Sequence, residues 1–247
     1  MHLPPKLSII TVTYKDDEGL KRTAASLEGL LKESGRACEL IIVDGGMSAG
    51  TAQRAEDLGD SVRLISEPDT GIYDAMNKGM AVANGDHLWF LNGGDECLVR
   101  WSQLSVILGA HAGSVVLADF VLASGEREHT RATRSPRSLW HALPTSHQAI
   151  FYPRAQVSVR YDESFRVAAD YDFTARLYAS GVPFVVEHVA VARFHLDGTS
   201  TQHGKLIGAE ARRVQRDTLA VHPAVSFLSG LRHRAARRYR SMLSRGQ

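Results

Sequence analysis

The chain has 247 residues, of which 44% are hydrophobic and 23% are charged, and its formal net charge is +2. This composition supports a sizeable folded core, and it excludes a disordered chain or a protein that coats nucleic acid by charge alone. The two cysteines, Cys38 and Cys97, are too few for a disulfide scaffold or a thiolate zinc site.

The first part of the chain alternates short apolar runs with amphipathic stretches. The apolar runs predict buried strands at Leu7–Val12, Leu40–Val43, Val62–Ile65 and His87–Leu91. The stretches between them predict helices at Gly19–Glu33, Thr51–Leu58 and Tyr73–Ala83. Strands that alternate with helices predict an α/β fold with a mostly parallel sheet flanked by helices.

Beyond Gly94 the alternation weakens. Further strands are predicted at Val115–Phe120, Ala149–Tyr152, Val182–Val186 and Val189–Phe194. Helices are predicted at Asp170–Ser180, Gly204–Val221 and Ala224–Ser244, the first of them ended by Gly181. The segment Arg127–His147 is rich in Arg, Ser, Pro and Thr, which predicts a long mobile loop.

Polar residues follow three of the first four predicted strands. Thr13 ends the first strand, Asp44-Gly45-Gly46 follows the second and Asn92-Gly93-Gly94-Asp95 follows the fourth. Ligands of open α/β sheets bind outside the carboxyl ends of the strands, so these residues are candidates for a binding site. The alternative is that the glycine segments are only turns. Neither GxGxxG nor GxxxxGK[ST] follows the first strand, which argues against a dinucleotide-dependent dehydrogenase and a P-loop NTPase.

Several segments together resemble the family 2 glycosyltransferases of the GT-A fold. They are SIITVTYK, IIVDGGMSAGT, SEPDTGIYDAMNKGMAVANGDHLWFLNGGDE, TSHQAIFYPR (residues 145–154) and SFRVAADYDFTARL (residues 164–177). They occur in the family's order over about residues 7–200, and they are most like the subgroup that builds bacterial exopolysaccharides, capsules and cell-envelope glycolipids. The resemblance implies an inverting enzyme that moves a sugar from a nucleotide-sugar donor to a hydroxyl acceptor, with a Rossmann-like sheet and C-terminal helices.

The resemblance also implies the residues of the donor site. It places Asp44 against the nucleoside, with Thr13 and Tyr14 beside the base. Three residues of the third predicted helix would border the nucleotide and the diphosphate: Asp74, Asn77 and Lys78. Two alternatives remain open, because Asp74 also suits the positive end of a helix and Lys78 also suits a solvated helix face.

The metal site implied by the family is incomplete in this chain. The family often has Asp-x-Asp-Asp after the fourth strand, and this chain has Asn92-Gly93-Gly94-Asp95. Asp95 is therefore the expected ligand of Mg²⁺ or Mn²⁺, assisted by Asn92 or Glu96. Mg²⁺ accepts such a site because it commonly uses one or two carboxylates together with substrate phosphates. We expect the cation and the donor to bind cooperatively.

Asp170 lies where the family has its general base, which removes the proton of the acceptor hydroxyl. Asp172 is the second candidate, but two residues of a helix differ by about 200° in direction, so both cannot readily face one pocket. Ala169 stands where the family often has Glu. The alternative for Asp170 is a capping role at the start of its helix.

Three further residues are assigned less directly. His147 and Gln148 would contact the diphosphate or shape the acceptor entrance. His195 would approach the diphosphate or the metal, or else it is a packed loop histidine.

The chain divides into a GT-A domain, residues 1–202, and a basic helical tail, residues 203–247. Within the domain, residues 1–96 form the nucleotide-sugar half and residues 97–202 the acceptor half. Beyond Asp217 the chain carries a charge of +6, from six arginines, and the rest carries −4. The tail has one apolar stripe: Leu228, Leu231, Ala235, Tyr239 and Met242.

A basic amphipathic helix is typical of contact with an anionic membrane surface, and a lipid-linked acceptor would make that contact useful. The alternatives are a helix docked on the core or on a second subunit of a homo-oligomer. No signal-peptide or membrane-spanning pattern occurs, so we expect a cytoplasmic protein, peripheral at the inner face of the membrane, with no nucleic-acid partner.

Two other functions are compatible with parts of the sequence. A glycosidase would use paired carboxylates, but it does not need the nucleotide-site features of this chain. A non-catalytic nucleotide-sugar binder or scaffold of the same fold would explain the incomplete acidic motif.

Overall fold

The computed structural model describes residues 6–59, 61–125, 127–195 and 204–232. Within these residues nine strands form one sheet. The strands are β1 (Leu7–Thr13), β2 (Cys38–Asp44), β3 (Val62–Ser66), β4 (His87–Phe90), β5 (Glu96–Cys97), β6 (Val115–Ser124), β7 (Arg127–Arg131), β8 (Ile150–Pro153) and β9 (Phe184–His195). The helices are α1 (Asp17–Ser34), α2 (Ala49–Asp57), α3 (Ile72–Val82), α4 (Trp101–Ala110), α5 (Ala169–Ala179) and α6 (Gly204–Asp217), and residues 223–232 are also helical.

The first four strands pair in parallel in the order β3-β2-β1-β4. Every residue of β1 is buried, because helices cover both faces of the sheet and the apolar run has no solvent side. The register pairs Thr13 with Asp44 and Asp44 with Ser66, so the polar ends of three strands lie at one edge. The predicted strands and helices of this half are confirmed to within a few residues.

The second half of the sheet is mixed. Strand β8 pairs antiparallel with β4 and with β6, while β9 runs parallel to β6. The two strands predicted over 182–194 are in fact one, β9, and that part of the prediction is wrong. An irregularity between Ala118 and Phe120 shifts the register, which lets β9 pair with nearly the whole length of β6.

The predicted loop over 127–147 is also partly wrong. Its first residues form β7, which pairs antiparallel with the end of β6, and Pro136–Trp140 forms a 3₁₀ turn. All five residues of β7 are exposed, so no alternation of apolar and polar residues marks the strand in the sequence. Strand β5 and helix α4 were likewise not predicted.

The core has two parts, one on each face of the sheet. On one face Phe90 and Tyr152 contact α3, α5 and α6 through residues such as Met76 and Phe173. On the other face, side chains of α1, α2 and α4 pack against the opposite side of the same strands. The helices thus hold the sheet from both sides and leave its carboxyl edge open.

The C-terminal part agrees with the prediction as far as it is described. Helix α6 ends at Asp217, four residues before the predicted end, and the helix at 223–232 matches the start of the last predicted helix. Ala235, Tyr239 and Met242 lie outside the described residues. Among those that are described, no helix has the length and apolar character needed to cross a bilayer.

Candidate functional site

A cavity of about 680 Å³ opens at the carboxyl edge of the sheet. We call it the cleft. Five of the predicted site residues line it: Asn92, Asp95, His147, Gln148 and Asp170. His195, at the end of β9, and Ile207 of α6 also line it. The fold therefore brings these residues from five separated segments to one cavity.

Asp95 is held in a buried position at the cleft wall. Its carboxylate receives a hydrogen bond from the side chain of Gln148 and a long one, 3.4 Å, from the backbone N–H of His195. The Thr23 hydroxyl donates to the backbone carbonyl oxygen of Asp95 at 2.6 Å. Burial raises the pKa of Asp95 to about 7, because few charges nearby compensate the lost hydration. Such a carboxylate gains from a cation beside it.

The residues beside Asp95 fit a hard divalent cation. Asn92 Oδ1 is buried without a hydrogen-bond partner, and it belongs to the same cleft wall. An amide oxygen and a carboxylate are the ligand types that Mg²⁺ and Mn²⁺ prefer. No group of three or more His, Cys, Asp or Glu side chains in the described ranges has the arrangement of a metal site. The remaining ligands would thus have to be water and donor phosphate oxygens.

Glu96, the other suggested helper, is already engaged. Its carboxylate contacts His195 Nε2 at 2.6 Å and Arg193 at 2.8 Å. Although burial acts to raise the pKa of Glu96, these two partners lower it below the usual value. Glu96 therefore orients His195 at the cleft, and Asn92 is the better candidate to assist Asp95.

Asp170 lies in the first turn of α5, half-buried, at the cleft. Its Oδ1 accepts a hydrogen bond of 2.8 Å from the backbone N–H of Tyr171. Burial raises the pKa of Asp170 to about 6. The carboxylate is therefore poised to accept a proton near neutral pH.

Asp172 has a different environment, as the helical geometry predicted. It does not line the cleft, and its carboxylate pairs with Arg176 at 2.8 Å and accepts from the Thr218 hydroxyl at 2.7 Å. It ties α5 to the chain after α6.

Glu210 is a residue of this site that the sequence analysis missed. Its carboxylate accepts three backbone N–H bonds of 2.9–3.0 Å, from Arg166, Val167 and Ala168. These residues lead directly into α5, so Glu210 fixes the position from which Asp170 enters the cleft. In the sequence Glu210 is marked only as an acidic residue of the amphipathic segment that forms α6. No local pattern connects it with its partners, which lie more than 40 positions earlier.

His147 is a buried, neutral part of the cleft wall. It stacks on Phe90, with 5.3 Å between the ring centroids, and its Nε2 lies 3.2 Å from the Tyr161 hydroxyl. Burial lowers the pKa of His147 to about 3. An uncharged imidazole here can exchange hydrogen bonds, but it adds no positive charge for a diphosphate.

The other predicted donor residues do not line the cleft. We call this group the Asp44 corner: Thr13, Tyr14, Asp44, Asp74, Asn77 and Lys78. Asp44 is fully buried, and its two carboxylate oxygens accept from the backbone N–H groups of Gly46 and Ser48 at 2.8 and 2.7 Å. The carboxylate thus closes the turn after β2, which is the alternative the sequence had left open.

Lys78 and Asp74 are likewise occupied within the protein. The Lys78 ammonium donates to the Pro68 carbonyl at 2.6 Å and contacts Glu67 at 3.1 Å and Asp74 at 3.5 Å. A hydrogen bond from the Thr70 backbone N–H lowers the pKa of Asp74. These charges stabilise one another in the structure as it stands.

Asn77 joins α3 to a distant segment. Its amide nitrogen donates to the Tyr161 carbonyl and to Glu163, and its oxygen accepts from the Tyr161 N–H, all at 2.9–3.0 Å. The side chain is almost completely buried, so these contacts account for most of its bonding capacity. Tyr14 is the opposite case, with an exposed ring beside Lys15.

Comparison with known proteins identifies relatives. A family model described as Glycosyl transferase family 2 matches residues 8–170. A PGL/p-HBAD biosynthesis glycosyltransferase of Mycobacterium tuberculosis is 32% identical over 184 residues, which cover 69% of this chain and 70% of the relative. An uncharacterized glycosyltransferase of the same species is 33% identical over 191 residues, or 70% of this chain and 68% of the relative.

Solved structures resemble the fold. S. aureus TarS 1–349 in complex with UDP-GlcNAc superposes with a TM-score of 0.65 at 16% identity, covering 87% of this chain and 71% of that one. The mannosyltransferase PcManGT from Pyrobaculum calidifontis, in complex with GDP-Man and Mn²⁺, has a TM-score of 0.61 at 13% identity, covering 99% and 80%. At these identities the likeness concerns the fold alone.

Proposed function

The chain belongs to glycosyl transferase family 2 and has the expected GT-A fold, and on that premise we propose that it transfers a sugar from a nucleotide-sugar to a hydroxyl acceptor with inversion at the anomeric carbon. Family membership makes it a glycosyltransferase enzyme, so the glycosidase and the non-catalytic binder are set aside. The observation that carries the mechanism is that Asp95 and Asp170, two carboxylates with raised pKa values, share one cleft.

In this mechanism Asp170 is the general base. It takes the proton of the acceptor hydroxyl while that oxygen forms a bond to the anomeric carbon and the bond to the diphosphate breaks on the opposite face. A pKa of about 6 supports the role, because the group is largely ionised at neutral pH and still basic enough to hold a proton. Glu210 supports it indirectly by fixing the start of α5.

Asp95 and Asn92 would hold a divalent cation at the leaving-group side. A bound Mg²⁺ or Mn²⁺ neutralises charge on a departing diphosphate. Gln148 holds the Asp95 carboxylate in place, and Glu96 orients His195 beside it. The raised pKa of Asp95 and the unpaired oxygen of Asn92 support this assignment.

For the nucleoside we propose the Asp44 corner. Asp44 would accept from a base or ribose once the turn that buries it opens, and the exposed Tyr14 ring, with Thr13 at the strand end, would flank the base. Lys78 would leave Glu67 for the diphosphate, with Asp74 keeping it nearby. Asn77 would act as the brace that holds the segment at 161–163.

The proposed acceptor is a cell-envelope glycolipid or polysaccharide precursor, carried on a lipid. Relatives named for PGL/p-HBAD biosynthesis support this class of acceptor. We further propose residues 1–202, completed by α6, as the catalytic unit, and the basic tail after α6 as the part that meets the membrane.

The test is a panel of UDP-, GDP- and dTDP-sugars, screened by thermal shift with and without Mn²⁺ and then in transfer assays. We expect one base to stabilise the protein, more strongly with the cation, and the product to have the opposite anomeric configuration by NMR. A product that retains the donor configuration would contradict the mechanism. Equal stabilisation with and without cation would contradict the role of Asp95.

A further inference from the structure

The helix at 223–232 carries an exposed apolar face. Four of its side chains are large, hydrophobic and open to solvent: Val225 (38% exposed), Phe227 (62%), Leu228 (56%) and Leu231 (43%). On a helix with 100° between residues, these four positions fall within an arc of about 160°. Soluble proteins seldom leave such a contiguous apolar face in water unless it meets a partner.

The opposite face of this helix is small and polar, and it is the face that contacts the protein. Ser226 donates to Gln215 Oε1 at 2.7 Å, and Ser229 accepts from Gln215 Nε2 at 3.0 Å. Ser229 also lies 2.7 Å from His141 Nδ1, and both serines are buried. The helix is therefore attached through hydrogen bonds. Its polar face contacts the protein and its apolar face is exposed to solvent, which is the reverse of an ordinary surface helix.

This arrangement decides one alternative left by the sequence. If the stripe that begins with Leu228 and Leu231 docked on the core, these side chains would be buried and the serines exposed. The structure has the reverse.

The charge around this face favours an anionic partner. Arg232, exposed at the end of the described helix, begins a run of six arginines with no acidic residue after Asp217. A symmetric contact with a second copy would bring two such basic segments together, and like charges at close range oppose it. Anionic lipid headgroups offer both the negative charge and an apolar layer beneath it.

We propose that Val225, Phe227, Leu228 and Leu231 form a docking surface that inserts into an anionic lipid bilayer. The hydrogen bonds of this helix connect the docking surface with the cleft. Gln215 belongs to α6, whose Ile207 lines the cleft, and His141 is two residues before Leu143, which also lines it. A docked helix is thus joined to two walls of the cleft. The inference rests on the proposed function only in that a lipid-linked acceptor explains why the cleft is held at a membrane.

The experiment is flotation of the full chain with vesicles of phosphatidylcholine alone or mixed with phosphatidylglycerol. We expect binding to the mixed vesicles, weakened by salt, and little binding to phosphatidylcholine. The double variant Phe227→Ser with Leu231→Ser should bind about tenfold more weakly or worse, because it removes apolar groups that insert. Val106→Ser on α4 is the matched control, since Val106 is 70% exposed but lies elsewhere, and it should bind like the wild type.

Two results would overturn the proposal. One is equal binding by the double variant and the wild type. The other is absence of binding of the wild type to the mixed vesicles. A concentration-dependent dimer in light scattering that the double variant abolishes would then make a second copy the partner. Binding of nucleoside diphosphate to each variant is measured in parallel. Failure of that binding in the wild type would count against the proposed function, and loss of vesicle binding with donor binding intact would concern only the docking surface.

Discussion

The cleft and the Asp44 corner contain similar residues in opposite electrostatic conditions. In the Asp44 corner the carboxylates are satisfied by the protein: Asp44 by two backbone N–H groups, and Asp74 by Thr70 and Lys78, which lower its pKa. In the cleft, burial raises the pKa of Asp95 and of Asp170. A carboxylate that is stable as an anion serves to bind, while one that is poorly compensated is ready for a proton or a cation.

The largest effect is expected at Asp170. Asp170→Asn removes the proposed base, so the transfer rate should fall by about 10²–10⁴-fold in an initial-rate assay. The melting temperature should stay the same or rise, because ionising this carboxyl inside the protein costs free energy.

Asp172→Asn is the matched control for that change. It breaks the contacts with Arg176 and Thr218, so it should lower the melting temperature while the folded enzyme keeps its activity. Full transfer activity in Asp170→Asn would show that the base lies elsewhere.

The next effect is expected at Asp95. Asp95→Asn should weaken the affinity for nucleoside diphosphate in the presence of Mn²⁺ by about 10–100-fold, as changes at metal sites commonly do. Isothermal titration without the cation should give wild type and variant similar affinities. Glu96→Gln should weaken this affinity less, since the Glu96 carboxylate is already engaged by His195 and Arg193. A larger loss in Glu96→Gln than in Asp95→Asn would reverse the two roles.

A smaller effect is expected at Glu210, which connects α6 to the cleft. Glu210→Gln replaces one carboxylate oxygen by an NH₂ group, and this donor would face backbone N–H groups that are also donors. The free energy of unfolding should therefore fall by about 1–3 kcal/mol. The negative charge of Glu210 also helps to raise the pKa of Asp170, so removing it should lower that pKa.

The readout is the pH dependence of kcat. Asp170 must be ionised to act, so the wild-type rate should fall as the pH drops through about 6, and in Glu210→Gln this fall should begin at a lower pH. A variant that loses stability with an unchanged pH profile would make Glu210 a structural residue only.

The smallest effect on stability is expected at Lys78, in the Asp44 corner. Its ion pairs are partly exposed, so Lys78→Met should change the free energy of unfolding by no more than about 1 kcal/mol in chemical denaturation. The KM for the donor should rise if Lys78 moves to the diphosphate. An unchanged KM would leave Lys78 as part of the scaffold and sharpen the contrast with the cleft.

Much of the fold could be predicted because its first half repeats one simple signal. Runs such as Leu7–Val12 are apolar along their whole length, and only strands buried on both faces require that. The second half lacks this signal, as β7 is exposed throughout and β9 gains its length from pairing with β6. Pairing partners of that kind lie far away in the sequence, so local patterns do not reveal them.

The candidate site divides in the same way. By itself the sequence determined the family, the order of the segments and the residues that would gather at the carboxyl edge of the sheet, because strand ends and motif spacing are local properties. Only the tertiary structure decided which of those residues are free to react. Asp44 and Asp95 both lie at the carboxyl end of a strand with glycines beside them, yet one is closed by its own turn and the other faces the cleft. Hydrogen-bond partners make that difference, because Asp44 is held by Gly46 and Ser48 of its own turn, whereas Asp95 is held by Gln148 and His195, which lie far away in the sequence.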